Sequence, residues 1–456
     1  MKDKRFYWEI PSSVDLEAFL QKYPPKFKYN IDKFYYIIEY LCKGMDIEDL
    51  DETAGFINLN AKILQSKIHD YKQYLNHLLE NGFIRTDMTY IVGEKSMGYL
   101  INKNTYHKAT VSLIPIQNFV IKKNRTIDYE KQEASLKATI AKYPFLTKWL
   151  NKGLQINAEE AIKKVEELFP EQTGGIRGTI KGKPSVWHKR YKAILSINKI
   201  ANQEFYYKVD DNVGRFHSNL TNIKRELRNY LTYDGQNLVN IDIKNSQPLF
   251  SLLLLNKDFY KQKEDQFTIY NIPSSLPLLS NTTHSYTSTL LMIVKTLEIF
   301  VNTDISTYSD MINSGNFYQL ISELIHPDKT FEKQKIKEMV FTVFFSNNRF
   351  IGQPEAKAKS DFKNAFPSVY EIFRLLKVKN HTTLAHILQR IESEIIIQRV
   401  AKRISIEKPD LPIFTIHDSV ATTVGNEKYV SSIIEEEALK LTGLNVKLGF
   451  EYWDYI

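Results

Sequence analysis

Two aspartates stand where an aspartate is costly. Asp242 lies inside NLVNIDIKNSQPLF (237–250), a short β-prone apolar run that ends in a polar kink from Asn245 to Pro248. Asp418 follows His417 in LPIFTIHDSVATTV (411–424), where one apolar strand arrives and another leaves through Ser419, so the acid sits at the turn of a hairpin. A carboxylate in such a run is unfavourable unless a cation or metal compensates it. The plainer reading is an acid at a frayed strand end, which needs no partner. If the two strands are neighbours the carboxylates converge, and two carboxylates can hold two magnesium ions about 4 Å apart for in-line attack on a phosphorus. Between these segments, FEKQKIKEMVFTVFFSNNRF (331–350) places Lys333, Lys337, Phe341 and Phe345 at intervals of four. On an α-helix each step of four drifts by about 40°, so two ammonium groups and two rings share one face over about 18 Å. Phosphates could meet the lysines and a base the rings. An ordinary amphipathic helix also makes an aromatic stripe, but turns it inward and keeps lysines off that line; the mixed stripe favours a nucleotide.

The scaffold for these residues is a chain of 456 residues, 43% hydrophobic and 12% aromatic, which excludes wholesale disorder and allows about three domains of roughly 150 residues. Lys plus Arg number 61 and Asp plus Glu 53, so 61 − 53 gives the net charge of +8, which suits a polyanionic partner without requiring one. A single cysteine, Cys42, excludes a disulfide framework and a thiolate metal cluster, and fits a reducing cytoplasm. The amino terminus carries charges where a secretory signal needs an apolar run, and the longest apolar candidate, 248–255, falls far short of the ~18 residues of a membrane helix. A cytoplasmic protein without a membrane partner is expected.

Residues 31–44 read as a helix stopped at Gly44, and 61–81 as a helix with Ile68, Tyr71, Leu75, Leu78 and Leu79 on one face. FIRTDMTYIV and MGYLIN flank the turn GEKS, so helices precede a β-hairpin, the order of a winged helix. Such a module grips nucleic acid or a partner, or serves as a structural cap. From about 130 to 205 the chain reads as helical and Lys-rich, interrupted by GGIRGTIKGKP (174–184). That segment lacks the upstream glycine and following Ser/Thr of a phosphate-binding P-loop, and is read as a solvated basic loop before a contact with nucleic-acid backbone.

Asp242 in NIDIKNSQP, the Lys333, Lys337, Phe341, Phe345 spacing and IHDS (416–419) resemble, in order, motifs A, B and C of family A DNA polymerases and the related single-subunit phage-type RNA polymerases. Gly214-Arg215 resembles the Gly-Arg element ahead of motif A, and Gln389 in HILQRIESEII the glutamine helix ahead of motif C. FKNAFPSVYEIF (362–373) resembles the segment after motif B, and GFEYWDYI (449–456) the terminal Trp-containing strand, so the resemblance covers roughly 185–456. No counterpart of an aspartate-rich exonuclease domain stands in the first 130 residues. The resemblance is to compact, virus- or transposon-borne members.

The resemblance implies an α+β right-hand polymerase: a palm of antiparallel sheet, helical fingers and thumb, and the winged-helix-like module in front. The expected divisions are 1–120 for that module, 121–205 for the helical thumb and connection, 206–260 for the first palm part, 261–394 for the fingers and 395–456 for the second palm part. It implies that Asp242 and Asp418 hold two Mg2+ ions, for which Mn2+ can substitute. Lys333 and Lys337 would clamp the triphosphate, and Phe341 and Phe345 would stack on the incoming nucleotide and the templating pair. Arg215 and Gln389 would hold the minor groove of a primer-template, and His417 the primer terminus. The partners are then primer-template nucleic acid, DNA by preference, and nucleoside triphosphates.

Departures from the pattern bear on the sugar. Ser419 follows His-Asp where DNA polymerases usually have Glu and phage-type RNA polymerases Ser. Phe345 replaces the tyrosine whose hydroxyl helps RNA polymerases sense the ribose, and cannot hydrogen-bond. Gln247 stands five residues after Asp242, at the spacing of the bulky gate of DNA polymerases, unless Ser246-Gln247 matches the family's Ser-Gln pair after a two-residue insertion. Ser346 replaces the glycine after the motif B aromatic. The balance is DNA-dependent DNA synthesis in a mobile or phage-derived element. The alternatives are a single-subunit RNA polymerase or primase-like enzyme, a template-independent terminal transferase, and, in another class, a catalytically dead DNA-binding replication initiator.

Overall fold

The computed structural model describes the chain except residues 1–3, 44–55, 91–95, 103–110, 171–185, 264–265, 273–283, 300–303, 326–332, 354–355 and 455–456. The basic loop 174–184 lies outside the described residues. What is described is a mixed α+β fold with two hydrophobic cores.

The smaller core belongs to the N-terminal part. The strand Tyr7–Pro11 pairs antiparallel with Val111–Pro115, closing a long loop of chain onto the helix Ile31–Lys43. Buried Asp32 fastens this closure, accepting from the Trp8 indole at 2.7 Å and from the backbone N–H groups of Gln117 and Asn118, so its charge is met by three donors. Within the loop the order is helix Ile31–Lys43, strand Ile57–Asn58, helices Ala61–Lys67 and Tyr71–Glu80, then strands Ile84–Thr86 and Gly98–Ile101. The three strands form an antiparallel sheet with Gly98–Ile101 in the middle. The single helix expected over 61–81 is two. Ile68 is extended, at φ −134° and ψ 95°, and Asp70 begins the second helix. Because buried Ile68 points into the same core as Tyr71, Tyr74 and Leu78, the apolar pattern runs on across the break.

A 24-residue helix, Phe119–Lys142, with only Ile121 and Thr139 buried, leads away from this module. Polar nearly all round, it is of the kind that spans between bodies rather than packing inside one. The helix Val186–Ala201 ties the cores together: Tyr191 and Leu195 enter the small one, Ile194, Ile197 and Ile200 the large one.

The large core surrounds an antiparallel sheet. Its order is Ile413–Ile416, Ser419–Thr423, Gln236–Ile243, Leu231–Tyr233, Leu154–Ile156, and Leu448–Trp453 pairs with the other side of Gln236–Ile243. The strand Leu154–Ile156 belongs to the region read as helical from sequence; three residues are too few to show a period. The central strand holds Val239, Ile241 and Ile243 on one face, all buried, and Leu238, Asn240 and Asp242 on the other. Helices share this core, among them Ser246–Leu254, Lys333–Phe345 and Thr383–Ser393. Among the described residues no helix is long and apolar enough to cross a membrane.

Candidate active site

The register of the central strand brings the two aspartates together. Asp242 lies opposite Ser419 on one side and Gly449 on the other. Asp418 immediately precedes Ser419, in the two-residue link His417-Asp418 that joins strands closed by the Ile416↔Ser419 pair. His417 takes φ 55°, a left-handed conformation that costs a β-substituted residue free energy and fixes how the link presents its side chains. Ser419 completes the turn, its hydroxyl donating to the Ile416 carbonyl at 2.7 Å.

Gly449 gives Asp242 its room. A Cβ built at Gly449 would stand 2.6 Å from Asp242 Oδ1 and 3.2 Å from its Cγ, so the carboxylate lies across the glycine. The Asp242 carboxyl is raised above its ordinary range by burial first and by the Asp418 charge second; its own backbone N–H and Lys244 pull the other way. Two half-buried acids thus stand close together, an arrangement that a bound cation would relieve. Among the described residues no three His, Cys, Asp or Glu side chains gather into a metal cluster. A pair of carboxylates nevertheless fits Mg2+ or Mn2+, which take oxygen ligands and complete their shells with water and phosphate oxygens.

A buried chain of polar groups backs Asp418. Ser246 begins the helix Ser246–Leu254, and its Oγ lies 2.6 Å from Asp418 Oδ2 and 2.8 Å from Glu392 Oε1. Arg215 donates through Nη2 to Glu392 Oε2 at 2.5 Å. Glu392 is 1% exposed and its carboxyl is pushed up to about 7, by burial and then by Asp418, against the downward pull of Arg215 and Ser246. The sequence reading does not single out Glu392, and names Ser246 only as part of a possible Ser-Gln pair. Glu392 carries the same signal as Asp242, an acid in an apolar stretch (RIESEIII), one helical turn after Gln389. Gly214 precedes Arg215 at φ 70°, with the Arg390 guanidinium where a side chain would be. His217, two residues after Arg215, has its ring 6.4 Å from that of His417 and steeply tilted to it. Arg215 and the helix Thr383–Ser393 are thus linked to Asp418 through Glu392 and Ser246. Directly after Ser393 the helix widens into a π-helical stretch, Glu394–Ala401, a form found often beside functional sites.

Lys337, Phe341 and Phe345 form a second group on Lys333–Phe345. Lys337 Nζ lies 5.4 Å from the Phe341 ring centre, and the Phe341 and Phe345 rings are 5.3 Å apart. The helix buries Ile336, Val340, Val343 and Phe344, while Lys337 is exposed and the two rings are only half-buried. The stripe is therefore not the core face. Lys333 begins the helix. Gln247, by contrast, is buried, and its Oε1 has no hydrogen-bond partner within the chain. An acceptor stranded in this way awaits a ligand or a water.

Two further lysines finish the helix that bears the stripe. Lys377 donates to the carbonyls of Val343 and Ser346 at 2.5 and 3.2 Å, and Lys359 to that of Asn347 at 2.7 Å. Both are almost fully buried, and burial, aided by Lys359, pushes the Lys377 ammonium down to about 7. They satisfy carbonyls that the helix end leaves open and complement its dipole. Lys377→Met keeps the apolar stem and removes the donors. A loss of about 2 kcal/mol is expected at pH 7, read as a lower urea midpoint at unchanged slope; an unchanged midpoint would show that the cap is dispensable.

No family model matches the chain, and no curated protein matches it. Among solved structures it is similar to the POL domain of Pol1 from M. smegmatis, solved in complex with DNA primer-template and dNTP, at 10% identity over 73% of each chain with a TM-score of 0.41.

Proposed function

We propose that the chain is a template-directed nucleotidyltransferase that extends a primer, by preference with deoxynucleotides on a DNA template. The observation that carries this reading is the pairing that sets Asp242 beside the Asp418 turn. It joins the two segments that the sequence separates by a lysine- and phenylalanine-striped helix.

In this reading Asp242 and Asp418 would hold two divalent ions, whose charge would offset that of the phosphate and favour ionisation of the primer hydroxyl. The primer 3′ oxygen bonds to the α-phosphorus, the bond to the bridging oxygen breaks, pyrophosphate departs and the hydroxyl proton passes to solvent. Lys337 and Lys333 meet the triphosphate, and Phe341 and Phe345 offer faces on which the base pair stacks. Arg215, Gln389 and His417 line the primer side, with Arg215 held by Glu392. The sugar preference rests on Phe345, which has no hydroxyl to read a ribose. Ser419, the residue that the resemblance associates with RNA synthesis, donates its buried hydroxyl to Ile416 within the hairpin and leaves that alternative to the test below. The N-terminal module, with its order of helices and three-stranded sheet, is read as a winged-helix-like grip on nucleic acid.

The test is extension of a labelled DNA primer on a DNA template with Mg2+, comparing dNTPs with NTPs and with template omitted, wild type beside Asp242→Asn. Extension with dNTPs only, requiring template and lost in the variant, is expected. Extension with NTPs moves the protein to RNA synthesis, and extension without template makes it a terminal transferase. No extension of any primer-template would sink the reading in favour of a binding protein.

A further inference from the structure

We propose that Glu392 is a positioning residue that sets the Asp418 carboxylate through Ser246 and, with its other oxygen, the Arg215 guanidinium, so that one buried acid aligns the metal side and the primer side of the site. The inference rests on the polymerase reading, because it takes Asp418 as a metal ligand and Arg215 as a primer contact.

Asp418 sits in a two-residue link and faces Asp242, a like charge, so left alone its carboxylate would swing outward to water. Ser246 opposes this with a 2.6 Å hydrogen bond from the start of the neighbouring helix. A serine hydroxyl rotates freely, and what fixes this one is Glu392 Oε1 on its other side at 2.8 Å. Glu392 Oε2 meanwhile takes Arg215. An acid with 1% of its surface exposed is costly to keep, and both of its oxygens are met by hydrogen-bond donors. The three partners come from three distant segments: the Gly-Arg element, the start of the helix after Asp242, and the His-Asp hairpin. One hydroxyl hydrogen cannot serve two carboxylates, so the Glu392 side of the bridge works with a neutral partner. An amide has the right shape, with an N–H for Ser246 and a carbonyl for Arg215.

The test uses the full-length protein and a readout that needs no turnover. Mn2+ binding is titrated by electron paramagnetic resonance in wild type, Glu392→Ala, Glu392→Gln and Ser246→Ala. Primer-template affinity is measured by fluorescence anisotropy, and the Mg2+ dependence of extension on the same samples. Outer-shell partners of metal ligands typically govern affinity by about 10- to 100-fold. Glu392→Ala and Ser246→Ala are therefore expected to weaken Mn2+ binding by about 10-fold or more and to raise the Mg2+ needed for half-maximal extension. Only Glu392→Ala should also weaken primer-template binding, by freeing Arg215, and Glu392→Gln should stay within about 3-fold of wild type on every measure. Wild-type Mn2+ affinity in Glu392→Ala and in Ser246→Ala would overturn the proposal. So would a Glu392→Gln variant as impaired as Glu392→Ala, since the role would then be that of a charge. If circular dichroism shows Glu392→Ala unfolded, the Ser246→Ala and Glu392→Gln pair decides alone. Wild type that binds Mn2+ but extends no primer would remove the polymerase reading and leave this inference to the Mn2+ arm; wild type that binds no Mn2+ would overturn both.

Discussion

Asp418→Asn is expected to reduce primer extension by roughly a thousandfold or more while primer-template affinity stays within about 3-fold and the melting temperature does not fall. The substitution keeps the shape of the side chain and an oxygen that can accept from Ser246, so the hairpin and the Ser246 contact survive. What it removes is one of two negative charges. With only Asp242 left, the proposed two-ion site would lose half of its anionic ligands, and a thousandfold rate loss corresponds to about 4 kcal/mol of transition-state stabilisation. Stability should move the other way. Asp418 raises the Asp242 carboxyl, which is repulsion stored in the fold, and removing it relaxes that repulsion. The sign for pH follows. A carboxyl raised in the folded state stabilises most below its unfolded value, and that contribution is lost as pH rises through the folded one. Wild type therefore carries a stability deficit at neutral pH from Asp242 that the variant reduces. In the proposed function nucleic-acid binding would rest on basic side chains that the change does not touch. Retained extension, or binding lost in parallel with extension, would remove Asp418 from the role given to it.

The pairing of the two aspartates was legible in the sequence for a physical reason: each interrupts a run of β-branched and apolar residues, and such runs become neighbouring strands. The striped helix was legible because helical period and residue type disagree with simple amphipathicity, and the burial of Val340 and Phe344 in place of Phe341 and Phe345 follows that disagreement. Other features were hidden because their cause lies between elements. Glu392 owes its meaning to Arg215 and Ser246, which no local pattern joins to it. Lys359 and Lys377 carry no signal in the sequence, since their meaning comes from the helix end they close. The break at Ile68 leaves the apolar period intact, and Leu154–Ile156 becomes a strand through its partner Leu231–Tyr233 rather than its own propensity. Gly449 is the sharpest case. It is one glycine among 17, and a slip of one residue in register would turn it to the other face of the sheet.

Gly449→Ala is expected to cut extension by about a hundredfold without lowering stability. Glycine in a strand is normally a weakness, because it holds more conformational freedom in the unfolded chain and packs no side chain. Gly449 is not among the glycines at positive φ, so alanine fits the backbone there, and in the absence of any neighbour the change would be neutral or slightly stabilising. The neighbour is the Asp242 carboxylate, 2.6 Å from the new methyl carbon. A carboxylate is the mobile end of its side chain and can rotate aside at little cost to the fold. It then points away from the place where, in the proposed function, it would meet a metal and the α-phosphate, and a displacement of about 1 Å at reacting groups is enough for a hundredfold loss. Folding and activity should therefore part company. The comparison is thermal melting beside the rate of single-nucleotide addition at saturating dNTP, with Mg2+ varied. An unchanged melt, a slow step and a higher Mg2+ requirement would place Asp242 at the reacting centre by a route that never alters the aspartate itself. Full activity in Gly449→Ala would mean that the Asp242 carboxylate is free to be elsewhere, and that the pairing of the two acids is not what performs the chemistry.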